Sequence, residues 1–200
     1  MKRTGGSQEE WIEEAARLIC DEGYADYRAA RAKAAERLGI SPRSSPPDPR
    51  RIEAAVLQRH ALFDAAAHAL QLAAMRRTAL RAMRLLSGYQ PRLAGSSVTG
   101  AIGEGHRVQL HLVADMPETV EMLLHDRHIP FEQGERRYRL ADGRDFCAAL
   151  LSFEADTVGV DLAVFEPASL RHPPLSQIDG KPARRLTCEQ LEALIAAAAD

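Results

Sequence analysis

Apolar and polar positions along this chain follow two different periods, and the change between them falls near Pro91. Before it the spacing is helical. Trp11, Ala15, Leu18 and Ile19 recur three and four residues apart, which gathers them on one helix face. Ser7 and Glu10 form a capping box ahead of that face, and Gly23 stops the helix near Glu22. Asp26 opens a second predicted helix that runs through Leu38 and ends at Gly39. The SPRSSPPDP stretch is a loop by composition, and its last two residues, Asp48 and Pro49, supply an N-cap and a first-position proline. Ile52, Val56, Leu62, Phe63, Leu70, Leu80 and Met83 then carry an apolar pattern to about Ser87. That pattern fits one long helix or two stacked ones, with a break expected at residues 64–67. Residues 1–90 therefore read as an all-helical region.

Beyond Pro91 the period shortens to two. A Gly/Ser-rich stretch from Gly95 to Gly105 leads into a predicted strand, Val108–Val113. Asp115, Met116, Pro117 and Glu118 are expected to cap a helix ending near Arg127. Strands are predicted at Phe131–Leu140, Phe146–Phe153 and Val158–Phe165, the first two separated by a turn at Asp142-Gly143. Thr187 and Gln190 form a second capping box for a terminal helix, Cys188–Ala199. The expected fold class is α+β: a helical region over 1–90, and a small mixed sheet with flanking helices over 91–200.

Charge follows the same division. Residues 1–92 hold 16 Lys/Arg against 11 Asp/Glu, whereas 93–200 hold 10 against 17. No run of like charge is long, so the basic residues of the first half read as solvated helix faces. Arg77, Arg81 and Arg84 form a stripe on a helix, but without interleaved aromatics it disfavours nucleic acid as a partner. Cys20, Cys147 and Cys188 are far apart and lack metal-ligand spacing. With no apolar run of membrane-spanning length and no signal-like leader, a cytoplasmic protein without a membrane partner is expected. The preference for arginine and alanine fits a GC-rich bacterial genome.

Gly95-Ser96-Ser97-Val98-Thr99-Gly100 follows a helix and precedes a strand, and Asp161 lies within the later strand Val158–Phe165. In this order and spacing the region 91–200 resembles the DNA polymerase beta-like nucleotidyltransferases. The resemblance implies that Gly95, Ser96 and Gly100 belong to a loop that holds a nucleotide triphosphate. It also implies that Asp161 stands where the family has its third metal-binding carboxylate. Arg107 and Gln109 then occupy the two positions of the family's Asp-x-Asp pair.

That departure governs the chemistry expected. Arg107, Gln109 and His111 alternate along one strand and so share a face. Magnesium requires several anionic oxygen ligands, and an arginine and a glutamine offer none. The expectation is a degenerate nucleotidyltransferase with no catalytic residue, metal or cofactor. It would act as a nucleotide-binding or protein-interaction module. Two arrangements fit this pattern: Arg107 pairs with Asp161, or Arg107 takes a nucleotide or other phosphorylated ligand without metal. Arg137 and Arg139 would add positive charge from one face of the next strand. The alternative is an active nucleotidyl- or phosphotransferase using Arg107, Gln109, His111 and Asp161 in an unusual way. Of the remaining histidines, His125 and His128 have helical ligand spacing without a third ligand. His60 and His68 read as surface or packed residues.

Overall fold

The computed structural model describes residues 7–168 and 173–198. The chain is organised as two units. One comprises residues 1–70, 100–106 and 177–179; the other comprises 71–99, 107–176 and 180–200.

The first unit is helical. α1 (Gln8–Asp21) begins with the expected box, in which the Glu10 N–H donates to Ser7 Oγ at 3.2 Å and the Ser7 N–H donates to the Glu10 carboxylate at 2.6 Å. α2 (Tyr27–Leu38) is capped by Asp26 and closed by Gly39 at φ 63°, a left-handed conformation that glycine adopts without steric penalty. α3 (Pro49–Phe63) is capped by Asp48 and ends at Asp64, so the break in the long helical stretch falls at its expected start. α4 (Ala65–Leu85) follows at once and continues into the second unit. Trp11, Leu18, Ile19, Ile52 and Val56 are buried in this unit's core, and Trp11 Nε1 donates to the Arg31 carbonyl at 2.7 Å. Part of the predicted apolar face stays outside: Leu62, Phe63 and Leu70 are 67%, 74% and 70% exposed.

The second unit holds a mixed sheet. A 3-10 turn at Ser87–Tyr89 precedes β1 (Arg92–Ala94), a strand the alternation did not reveal because three residues carry no readable period. After it come the single turn α5 (Ser96–Thr99), β2 (Val108–Val113), α6 (Glu118–Asp126), β3 (Glu132–Arg139), β4 (Asp145–Ala155), β5 (Val158–Phe165) and α7 (Cys188–Ala197). Ala199, the predicted end of the last helix, lies outside the described residues. The N-cap of α6 is Pro117, which makes no side-chain bond, so Asp115 does not cap that helix. The strand order is β1-β2-β5-β4-β3, with β2 and β5 parallel and the other pairs antiparallel.

Register sorts the side chains of this sheet. Val108, Leu110 and Leu112 lie beside Val160, Leu162 and Val164, and all six are buried. They form the inner face, where removal of apolar area from water provides the main stabilisation. Gln109 lies beside Asp161 and His111 beside Ala163, on the opposite face. Fold class α+β is thus what the chain adopts, with helices and a five-stranded mixed sheet among the described residues.

Candidate functional site

The outer face of the β2–β5 pair brings together most of the residues singled out in the sequence. Asp161 is 5% exposed and is surrounded by donors. Arg107 Nε donates to its Oδ1 at 2.8 Å, Ser152 Oγ donates to the same oxygen at 3.0 Å, and Arg136 reaches Oδ2 at 3.3 Å. A buried carboxylate requires such compensation, since an unpaired charge away from water is costly. Arg107 spends its remaining donors close by, on the Glu154 carboxylate and, at 2.9 Å, on the Phe153 carbonyl. Its guanidinium lies against Gly159, where an added Cβ would fall 2.3 Å from one terminal nitrogen and 2.4 Å from the central carbon. Gly159 thus leaves the space that Arg107 fills. Of the two arrangements open from sequence, the pairing of Arg107 with Asp161 is the one present.

The surrounding cations differ from expectation. Arg137 and Arg139 do share a face, but Arg139 pairs with Asp145 at 3.0 Å, and neither bonds to Asp161. Register explains why: Glu132 is paired with Ser152 and Ser152 with Asp161, so the even-numbered residues of β3 face the carboxylate. Arg136 is therefore the arginine that reaches it. Ser152, Glu154 and Gly159 were likewise missed, because the alternation within one strand cannot say which face a neighbouring strand presents.

Gln109 lies under the Gly95 turn. Gly95 has φ 74°, where an L side chain is strained, and a Cβ there would lie 2.9 Å from the Gln109 amide oxygen and push that amide aside. Gly100 also adopts a positive φ, 91°. The hydroxyls of Ser96 and Ser97 are buried without a hydrogen-bond partner. They are directed inward, and the short turn carries no hydroxyl presented to solvent at Ser96.

His111 is 4% exposed and packs edge-on to the Tyr138 ring and tilted against Phe165, with centroids 5.3 and 4.8 Å away. Its Nδ1 has no hydrogen-bond partner. Burial, reinforced by the charges of Arg185 and Arg136, holds its pKa down at about 3, so the ring is neutral. Gly95, Ser96, Gln109, His111, Arg107 and Asp161 thus lie in one sheet unit. Gly100 is grouped with the helical one.

That helical unit contains an arrangement that no motif announced. Cys20 Sγ is 3.5 Å from His60 Nε2, and His60 Nδ1 is 3.4 Å from Asp64. The order thiol, imidazole and carboxylate is that of a nucleophilic triad, but the hydrogen bonds oppose that use. His60 Nε2 lies 2.7 Å from the Ile102 carbonyl, to which it can only donate, so it cannot accept the thiol proton. Burial raises the Cys20 pKa to about 11, which keeps the sulfur protonated. His60 stacks on His68 at 4.1 Å, and His68 Nε2 is 2.8 Å from the Gly100 carbonyl. Two histidines therefore anchor residues 100–102 by their backbone. Nearby, Gly103 and Gly105 approach the backbone of Ile19 and Gly23 so closely that a Cβ would clash.

His128 lies beyond the end of α6 at φ 54°, so it and His125 do not stand one helical turn apart on a continuous helix. Among the described residues no group of three or more His, Cys, Asp or Glu could hold a metal ion. Two of the three stripe arginines on α4 are drawn into ion pairs, Arg81 with Asp156 at 2.6 Å and Arg84 with Glu192 at 2.8 Å. No described helix is long and apolar enough to cross a membrane. Comparison with protein-family profiles, curated proteins and solved structures gave no match.

Proposed function

We propose that residues 91–200 form a nucleotidyltransferase-like domain that has lost metal-dependent transfer. On this reading it serves in the cytoplasm as a metal-independent binding module for a nucleotide or other phosphorylated ligand. The observation that carries the loss of metal-dependent transfer is the state of Asp161. It is the only carboxylate of the resemblance that is present, and Arg107, Arg136 and Ser152 occupy its oxygens. A divalent ion placed there would have to displace Arg107 and would find no second anionic ligand at Gln109. Two-metal phosphoryl transfer depends on bridging carboxylates, and one carboxylate already neutralised by two guanidinium groups is not a substitute. The Cys20–His60–Asp64 set offers no competing enzyme, because the Ile102 carbonyl holds the imidazole nitrogen that would have to accept the thiol proton.

The test is calorimetric titration of ATP and UTP into the whole protein, with and without Mg²⁺, alongside incubation with labelled nucleotide. Binding that is indifferent to Mg²⁺, with no label transferred to protein, RNA or small acceptors, is the expected result. Mg²⁺-dependent binding accompanied by transfer would overturn the reading and return the domain to the active enzymes.

A further inference from the structure

A second group of arginines lies on the same outer face, at the β1 edge of the sheet. Arg92 is the cross-strand partner of His111, so the two side chains share that face. Leu93 and Leu186 exchange backbone hydrogen bonds at 2.9 Å in both directions, which brings the chain before α7 alongside β1. Leu93 and Leu186 are both buried in the inner face. Arg185, the neighbour of Leu186, therefore projects to the outer face, beside Arg92 and over His111.

The charges here are unbalanced. Arg107 and Arg136 are matched by Asp161 and Glu154. Arg92 and Arg185 are both partly buried, and no carboxylate among the described residues pairs with either. Glu132, the remaining acid of that face, belongs to β3 at the far edge. Burial, and then the nearby charge of Arg92, lower the Arg185 pKa, as expected for two cations held together in partial isolation from water. Directly below them is His111, more than nine-tenths buried, with Nδ1 unpartnered. Uncompensated guanidinium groups beside an unsatisfied buried donor or acceptor are the surroundings that an anion completes.

We infer that Arg92 and Arg185, above His111, form a binding site for a phosphate group that needs no divalent metal. Planar guanidinium forks match tetrahedral phosphate oxygens, and two of them clamp one group from two sides. The site is distinct from the closed Arg107–Asp161 cluster, and the inference rests on the proposed function only in requiring no metal. Two guanidinium groups suit a single phosphate or a short phosphate chain carried by a small molecule.

Calorimetric titration of inorganic tripolyphosphate and of ATP into the full chain, in EDTA, tests it. Saturable binding of tripolyphosphate is expected, weakened by about tenfold or more in Arg185→Ala and in Arg92→Ala. Arg185→Lys should fall between, since it keeps the charge and loses the fork. Arg81→Ala, whose arginine is already paired with Asp156, should bind as the parent does. Unchanged circular dichroism of each variant would keep loss of fold from imitating loss of site. Equal affinity for the two probes assigns recognition to the phosphate chain, and preference for ATP adds contacts to the nucleoside; both uphold the site. Equal binding by the parent, Arg185→Ala and Arg92→Ala would overturn the site while leaving the metal-free module standing. Absence of saturable binding would overturn it too, and binding restored only by Mg²⁺ would overturn both.

Discussion

Acid should destabilise the sheet unit through one residue, His111. The free imidazole has a pKa of 6.5, and in the folded chain burial holds it at about 3. Between those values the unfolded chain carries a proton that the folded chain refuses, so falling pH favours unfolding. The loss begins as pH drops through 6.5 and stops only below about 3, where the folded ring also protonates. The full window corresponds to about 5 kcal/mol, a large share of the stability of an ordinary domain. From pH 7 to pH 4 the part realised is about 3 kcal/mol. His111→Phe keeps a ring against Tyr138 and Phe165 and removes the titration. Urea denaturation of parent and variant at pH 7, 6, 5 and 4, in buffers free of phosphate, should show their stability difference changing in the variant's favour by about 3 kcal/mol. Acid-sensitive carboxylates are common to both chains and cancel in that difference. A gap that stays constant to within about 0.5 kcal/mol across the range would refute the reasoning, because the ring at position 111 could then not be a buried neutral imidazole.

Gly159→Ala should drive the Arg107 guanidinium off Asp161, since the new methyl would lie 2.3 Å from its terminal nitrogen. A loss of about 1–3 kcal/mol in urea denaturation is expected, falling close to zero when the same change is made beside Arg107→Met. In the helical unit, hydrogen bonding from Arg17 opposes burial and, with help from Arg37, holds the Glu14 pKa at about 2. Arg17→Ala should raise it toward the usual 4.5, as read by NMR titration of the Glu14 carboxyl carbon, and a value still near 2 would contradict that assignment.

The helices were legible in the sequence because their signals are local. Ser7 with Glu10, Asp26, Asp48 with Pro49, and Thr187 with Gln190 each fix a helix start within four residues, and each is found capping the helix it announces. The four longer strands, β2 to β5, were legible for the same reason. What local pattern could not show is how strands lie side by side. Arg136 and Arg137 are adjacent in the chain, and only the pairing of β3 through β4 to β5 decides which of them meets Asp161. β1 is too short for a period, and Arg185 acquires its place solely through the bridge from Leu186 to Leu93. The pairing of Arg107 with Asp161 could be anticipated because it joins two residues already singled out. The Arg92–Arg185 pair could not, since it joins an unrecognised strand to an irregular segment.

These placements bear on why the outer face tolerates arginine where the resemblance calls for aspartate. Asp161 stands on a parallel strand beside Gln109, the residue that lies under the Gly95 turn, and is nearly cut off from solvent. A carboxylate so placed must be neutralised, by an ion taken from solution or by a cation of the chain itself. Arg107 supplies that cation permanently, and Gly159 on the adjoining strand gives its flat head a seat that any side chain would take away. Arg136 and Ser152 complete the shell from β3 and β4. A metal has little to add to folding here, because the charge it would balance is already balanced. With Arg107 and Arg136 matched by carboxylates, the positive charge left unmatched on this face is that of Arg92 and Arg185, and an incoming anion, rather than a cation, is the group proposed to meet it.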